Sequence, residues 1–149
     1  MKVSVQKADF DLGVEVKALS KDPKVGAVAS FIGVVREVPM TLEHYAGMTE
    51  REIGKIVEEA RSRWQVMDCT VIHRFGELQP TDQIVLVAVA SAHRGDAFAA
   101  CEFIMDYLKT RAPFWKKEQR ASGAQWVEAR SSDDQAAERW EVRPAARKP

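Results

Sequence analysis

The chain has 149 residues, of which 46% are hydrophobic and 30% charged, a composition typical of one folded domain. This composition excludes a disordered polar chain, and without a long apolar run we expect no membrane span. Lys and Arg number 22 and Asp and Glu number 22, so the zero net charge excludes nucleic-acid binding by a uniformly basic surface. We expect a single domain over residues 1–149, with a flexible tail from about residue 143.

The N-terminal region and the cysteines indicate a reduced, cytoplasmic protein. Asp9 and Asp11 interrupt the segment where the apolar core of a signal peptide would lie. Cys69 and Cys101 are far apart and form no CxxC motif, which predicts two buried thiols. The three histidines have no spacing typical of metal ligands, so we expect no metal and no other cofactor.

In chain order, the first predicted elements are a strand at residues 3–5, where valines alternate with polar residues, and a helix at 12–19. The run GAVASFIGVV at 26–35 is small and apolar, which favours a buried strand that ends at Arg36. TLEHYAG at 41–47 has the pattern of a returning strand. We therefore expect Arg36 near the tip of a hairpin.

The rest of the chain predicts two long helices, two strand pairs and a short last helix. The helix at about 95–112 should turn one face to the core, formed by Phe98, Cys101, Met105 and Leu108. The further elements are a helix at 49–64, strands at 69–76 and 83–91, a hairpin of 114–120 with 124–130, and a helix within 133–140. Hairpins mixed with separate helices predict an α+β fold with mainly antiparallel pairing.

Positive charge is concentrated in KTRAPFWKKEQR, from Lys109 to Arg120, where five cations stand against the single acid Glu118. Such a cluster is costly unless its side chains spread into water or converge on an anion, and both interpretations are open. A lysine among other cations loses proton affinity and becomes suited to nucleophilic or acid–base chemistry. Lys109 and Lys116 are therefore candidate catalytic residues.

His93 and Arg94 lie between a predicted strand and the start of the second long helix. A helix N-terminus offers free N–H groups to an anion, and an arginine adds bidentate donors, so a phosphate site is one interpretation. A structural hydrogen bond for His93 and a surface ion pair for Arg94 are equally open. His73 and Arg74 repeat the dipeptide without a following helix, and we interpret them as structural.

Several segments in order over nearly the whole chain carry a resemblance: FIGVVR (31–36), TLEHYAGMTE (41–50), VIHRFGEL (71–78), SAHRGDAF (91–98), and FIMDYLKTRAPFWKKE (103–118) followed by WVEAR. Together they resemble the large, catalytic subunit of molybdopterin synthase. The resemblance implies an α/β hammerhead fold and a homodimer within a heterotetramer, where each large subunit binds a small ubiquitin-like sulfur carrier. It also implies conversion of cyclic pyranopterin monophosphate into molybdopterin by installation of two dithiolene sulfurs, each of which arrives as a thiocarboxylate at the C-terminal Gly-Gly tail of a carrier.

The resemblance also implies residue roles. Lys109 matches the lysine beside the carrier's C-terminus, and we expect Lys109 to orient or accept the carrier's acyl group while Lys116 assists proton transfer. The positions that match the precursor site are Val34, Val35, Arg36, His93, Arg94, Lys116, Lys117 and Glu118. One departure affects Arg36: only EVPM separates it from TLEHY, whereas family members usually have several more residues there. A shorter loop presents the arginine differently.

Two other functions are compatible with the residues. One is a non-catalytic module that binds an anion or RNA through the basic segment and Trp115, although RNA binding normally needs more exposed aromatic residues among the cations. The other is an acyl-transfer enzyme that acts through Lys109 without a protein partner. Dependence of activity on a thiocarboxylated carrier distinguishes the synthase from both.

Overall fold

The computed structural model describes residues 1–120, 123–127 and 131–141, and within them the chain forms four helices and eight strands. The elements are β1 Lys2–Gln6, α1 Leu12–Leu19, β2 Ala27–Val34, β3 Met40–His44, α2 Met48–Arg63, β4 Asp68–Arg74, β5 Gly76–Leu78, β6 Gln83–Ser91, α3 Arg94–Thr110, β7 Phe114–Arg120, β8 Gly123–Val127 and α4 Ser131–Glu138. The tail expected from about residue 143 and the hairpin end at 128–130 lie outside the described residues.

The described strands form two four-stranded sheets. The first has the order β1-β4-β6-β2, in which β1 and β4 are parallel and the other pairs antiparallel. The second has the order β5-β3-β7-β8 and is antiparallel throughout. The α+β prediction with mainly antiparallel pairing is confirmed, as are the pairings of β4 with β6 and of β7 with β8.

The hairpin expected around Arg36 is wrong. β2 pairs with β6, whereas β3 pairs with β5 and β7, so the two strands belong to different sheets. The backbone of Val35 explains the change: its N–H donates to the Asp82 carbonyl at 2.9 Å, and its carbonyl accepts from Thr81 N–H at 2.9 Å. These bonds hold the chain against the turn before β6. Residues 35–39 therefore form a short link from one sheet to the other.

The main core lies between the first sheet and helices α2 and α3. Cys101, Met105 and Leu108 are buried as predicted, but Phe98 is 65% exposed, so its expected core position is wrong. The small side chains of Ala97 and Ala100 occupy the buried positions at that end of α3 instead. No helix among the described residues is long and apolar enough to cross a membrane.

Candidate functional site

A cavity of about 550 Å³ lies where the end of β2, the last turn of α3 and the first half of β7 meet. Six of the nine predicted site residues line it: Val34, Val35, Arg36, Lys109, Lys116 and Glu118. The walls also contain His73, Phe114 and Asp133. Its volume falls within the range of about 300–1,000 Å³ typical of small-molecule sites.

Strand alternation selects which side chains of β7 reach the cavity. Phe114, Lys116 and Glu118 are two residues apart and line it together, because alternate side chains of a strand share a face. The Lys116 ammonium lies 2.9 Å from the carboxylate of Glu118, which is only 8% exposed. Lys117 is not among the lining residues, and its ammonium lies 5.6 Å from the centre of the Trp126 ring. Lys117 therefore does not line this cavity, and its contact with the precursor stays a prediction.

The link between the sheets brings Arg36 to the rim. Arg36 and Glu37 are both exposed, and the Arg36 carbonyl accepts from Val38 N–H at 2.9 Å in a tight turn. Glu37 has φ = 71°, a left-handed conformation that non-glycine residues seldom adopt. The short link thus fixes the backbone that carries the guanidinium.

Lys109 lies in the last turn of α3 and lines the cavity. A cation in the last turn of a helix is favoured by the partial negative charge of the free carbonyl groups. This interaction alone would explain a lysine at the position. Its location in the cavity wall adds a possible contact with a bound anion.

His73 lines the cavity, although sequence reasoning gave it only a structural part. Its ring stacks on Phe114 with 3.8 Å between centroids and an 18° interplanar angle. Burial is the main cause that lowers the pKa of His73 from 6.5 to about 4, and the charge of Lys109 acts in the same direction. Nδ1 lies 2.9 Å from the Arg74 carbonyl, which can only accept, so Nδ1 carries the proton and Nε2 is an acceptor. This hydrogen bond fixes the tautomer of His73.

His93 and Arg94 lie at the other end of α3. Both side chains are exposed, and His93 is the N-cap residue without a side-chain capping bond. Arg94 and Lys109 are fifteen residues apart on one helix, which corresponds to roughly 22 Å. A single chain therefore does not bring His93 and Arg94 to the cavity.

Among the described residues that line it, the cavity has three cations and three carboxylates. Arg36, Lys109 and Lys116 supply the positive charge, and Glu37, Glu118 and Asp133 supply the negative charge. Asp133 belongs to the short helix α4, and no motif in the sequence marked it. The described residues contain no group of three or more His, Cys, Asp or Glu side chains arranged to hold a metal ion. The arrangement is suited to binding an anion that also carries hydrogen-bond donors.

The two cysteines are outside the cavity lining. Both are buried, as predicted, and burial is the main cause that raises the pKa of Cys69 to about 12 and of Cys101 to about 11. Such thiols stay protonated at neutral pH and are poor nucleophiles.

Comparison with known proteins agrees with this geometry. The model of the "MoaE protein" family matches residues 5–111. A "Molybdopterin synthase catalytic subunit" from Ralstonia nicotianae is 60% identical over 94% of this chain and 84% of the relative. The structure of the "Molybdopterin biosynthesis MoaE protein" from Burkholderia ambifaria is 56% identical, with a TM-score of 0.83 over 95% of this chain and 99% of that one.

A more distant structure shares the fold. It is the "Protein-protein complex of subunit 1 and 2 of Molybdopterin-converting factor" from Helicobacter pylori, with 19% identity and a TM-score of 0.72 over 87% of this chain and 92% of that chain. The family match covers well over half of the chain and confirms the family expected from the sequence motifs. The chain belongs to the MoaE protein family, which includes the molybdopterin synthase catalytic subunits.

Proposed function

We propose that the cavity binds cyclic pyranopterin monophosphate together with the thiocarboxylate of a small carrier protein, and that sulfur passes from carrier to precursor to form the dithiolene of molybdopterin. The observation that supports this proposal most directly is the convergence of Arg36, Lys109 and Lys116 on one cavity from three separate elements. The 60% identity to a molybdopterin synthase catalytic subunit supports the same chemistry.

The charges of the two reactants explain why cations are needed. Both the cyclic phosphate and the thiocarboxylate are anions, and two like unit charges about 4 Å apart repel by about 4 kcal/mol at an effective dielectric constant of 20. Positive groups already in place offset this repulsion without reorganisation during the reaction. Lys109 orients or accepts the carrier's acyl group, Lys116 assists proton transfer, and Arg36 binds the phosphate.

The state of the cysteines supports an external sulfur donor. A sulfurtransferase that carries sulfur as its own persulfide needs an accessible cysteine of low pKa. The chain has two cysteines, both buried and both with a raised pKa. The sulfur must then arrive on another molecule, as the thiocarboxylate proposal requires. Two reduced thiols also agree with a cytoplasmic location.

The positions of His93 and Arg94 support a homodimer. At roughly 22 Å from Lys109 along α3, they cannot contact a precursor in the cavity of their own chain. A second copy can present them to the first cavity, and the reverse contact then completes the second site. With one carrier per cavity, the assembly is a heterotetramer. The name of the relatives, "catalytic subunit", agrees with such an assembly.

The test is molybdopterin formation by the purified chain with precursor, in the presence and absence of the thiocarboxylated carrier. We expect product only with the carrier. Turnover without any carrier would favour an acyl-transfer enzyme that acts alone. Strongly salt-dependent RNA binding without turnover would favour an anion-binding or RNA-binding module.

Lysine variants test the residue assignments. Lys109→Ala and Lys116→Ala should each lower turnover by about 10²- to 10⁴-fold, because each removes a charge or proton donor from the reaction site. Lys55→Ala is the matched control, since Lys55 is an exposed residue of α2 paired with Glu52. Lys117→Ala tests a predicted site residue of β7 that does not line the cavity. Normal turnover in either cavity variant would refute its assignment.

A further inference from the structure

Asp133 is an unexplained carboxylate in the cavity. It is the third residue of α4, it is half-buried, and it lines the cavity together with three cations. In the part of the chain that the structure describes, its carboxylate makes no hydrogen bond or ion pair. Glu118, the buried carboxylate among the described lining residues, is paired with Lys116 at 2.9 Å. Asp133 therefore offers free acceptor atoms to whatever fills the cavity.

The helix that carries Asp133 is held firmly against α3. The Trp140 indole N–H donates to the Asp106 carboxylate at 2.6 Å, and the Arg139 guanidinium donates to the same carboxylate at 2.7 Å. Ala137 is buried, and the Trp140 ring packs edge-on against Trp64 with 5.4 Å between centroids. These contacts hold the C-terminal end of α4 and residues 139–140 against α3, which restricts the helix that carries Asp133 before a ligand binds. A preorganised acceptor loses little entropy on binding.

The charge of Asp133 conflicts with the anionic parts of both reactants. A carboxylate only accepts hydrogen bonds, and it repels the phosphate and the thiocarboxylate. The remaining part of the proposed substrate is different: its 2-amino-4-oxopyrimidine ring presents the N3–H and the exocyclic amino N–H side by side. Two parallel donors match the two oxygens of one carboxylate.

We propose that Asp133 binds the N3–H and 2-amino edge of the pterin and so determines how the precursor is oriented and selected. This inference rests on the proposed function. The ring edge lies at Asp133 and the cyclic phosphate lies at the cations. The reverse orientation would place the phosphate against a carboxylate and leave ring donors facing ammonium groups, so it is disfavoured at both ends.

Steady-state kinetics of the complete synthase with its carrier tests this assignment. In Asp133→Ala, the KM for the precursor should rise by about 10- to 100-fold, because hydrogen bonds to a charged group are lost, while kcat changes little. Asp134→Ala is the matched control: Asp134 is in the same first helical turn but is exposed and is not a lining residue. Both changes remove the same favourable interaction with the helix N-terminus, so only a contact with substrate separates them.

A pair of competitive inhibitors gives a second readout. Pterin has the 2-amino group, whereas lumazine has an oxygen at that position, which Asp133 would repel. The wild-type enzyme should bind pterin at least about tenfold more tightly than lumazine, and Asp133→Ala should lose this preference. An unchanged KM in Asp133→Ala, an equal rise in Asp134→Ala, or a preference that survives the substitution would overturn the assignment. If the wild-type enzyme itself showed no turnover with the carrier, the proposed function would be refuted instead.

Discussion

His73 should make the protein less stable in mild acid. Its pKa is about 4 in the folded chain and 6.5 for an ordinary histidine, so the unfolded chain binds more protons between these values. The contribution of neutral His73 is complete above pH 6.5 and is lost as the pH falls towards 4. Over the full window the difference corresponds to about 3 kcal/mol, and most of it is lost by pH 4.5. Burial is the largest cause of the low pKa; the hydrogen bond to the Arg74 carbonyl raises the pKa, and the charges of Lys109 and His44 lower it further.

Urea unfolding followed by tryptophan fluorescence measures this loss. His73→Phe is the control, because a phenyl ring keeps the stacking on Phe114 but cannot titrate. Other acidic groups contribute equally to both proteins, so the difference in unfolding free energy between wild type and variant isolates His73. We expect that difference to fall by about 2–3 kcal/mol, to the disadvantage of the wild type, from pH 7.5 to pH 4.5. A difference that stays constant would refute the burial argument.

Two further substitutions test the backbone and the docking of α4. Thr81, which follows Pro80, has φ = 79°, and the turn is closed by Asp82 N–H, which donates to the Gln79 carbonyl at 2.9 Å. Because glycine adopts this backbone conformation without strain, Thr81→Gly should raise the free energy of unfolding in urea by about 0.5–1 kcal/mol. A less stable variant would contradict the strain at Thr81. Asp106→Asn removes the negative charge that accepts hydrogen bonds from Trp140 and Arg139, and it should speed amide hydrogen exchange in α4 about tenfold. Glu102 is a more exposed partner of Arg139, so Glu102→Gln should change the exchange rate less. Equal exchange rates in the two variants would contradict the role of Asp106 in holding α4 against α3.

Local patterns predicted most of the elements, because periodicity and breaker residues act within one segment. Local patterns also apply to the basic segment, because alternation along β7 places Lys116 and Glu118 on the cavity face and Lys117 on the other face. That division was readable from the sequence once β7 was taken as a strand. The separation of Arg94 from Lys109 was readable too, since one helix joins them.

Features that depend on distant pairing were not predictable. The course of the chain after Arg36 is set by β6 and the turn before it, which lie far along the sequence. Phe98 had the spacing of a core residue, but the smaller Ala97 and Ala100 fit closer to the sheet. Asp133 reaches the cavity only through the docking of α4 on α3. Nothing in the short α4 pattern indicates where that helix packs.

The link at residues 35–39 has a consequence for how affinity can vary among related chains. It joins the two sheets and carries Arg36 to the cavity, while Lys109 and Lys116 are held by other elements. Lengthening or shortening this connection would displace one guanidinium relative to two ammonium groups without repacking either sheet. With Arg36 assigned to the phosphate as proposed above, natural length variation at this point would tune phosphate affinity independently of folding stability.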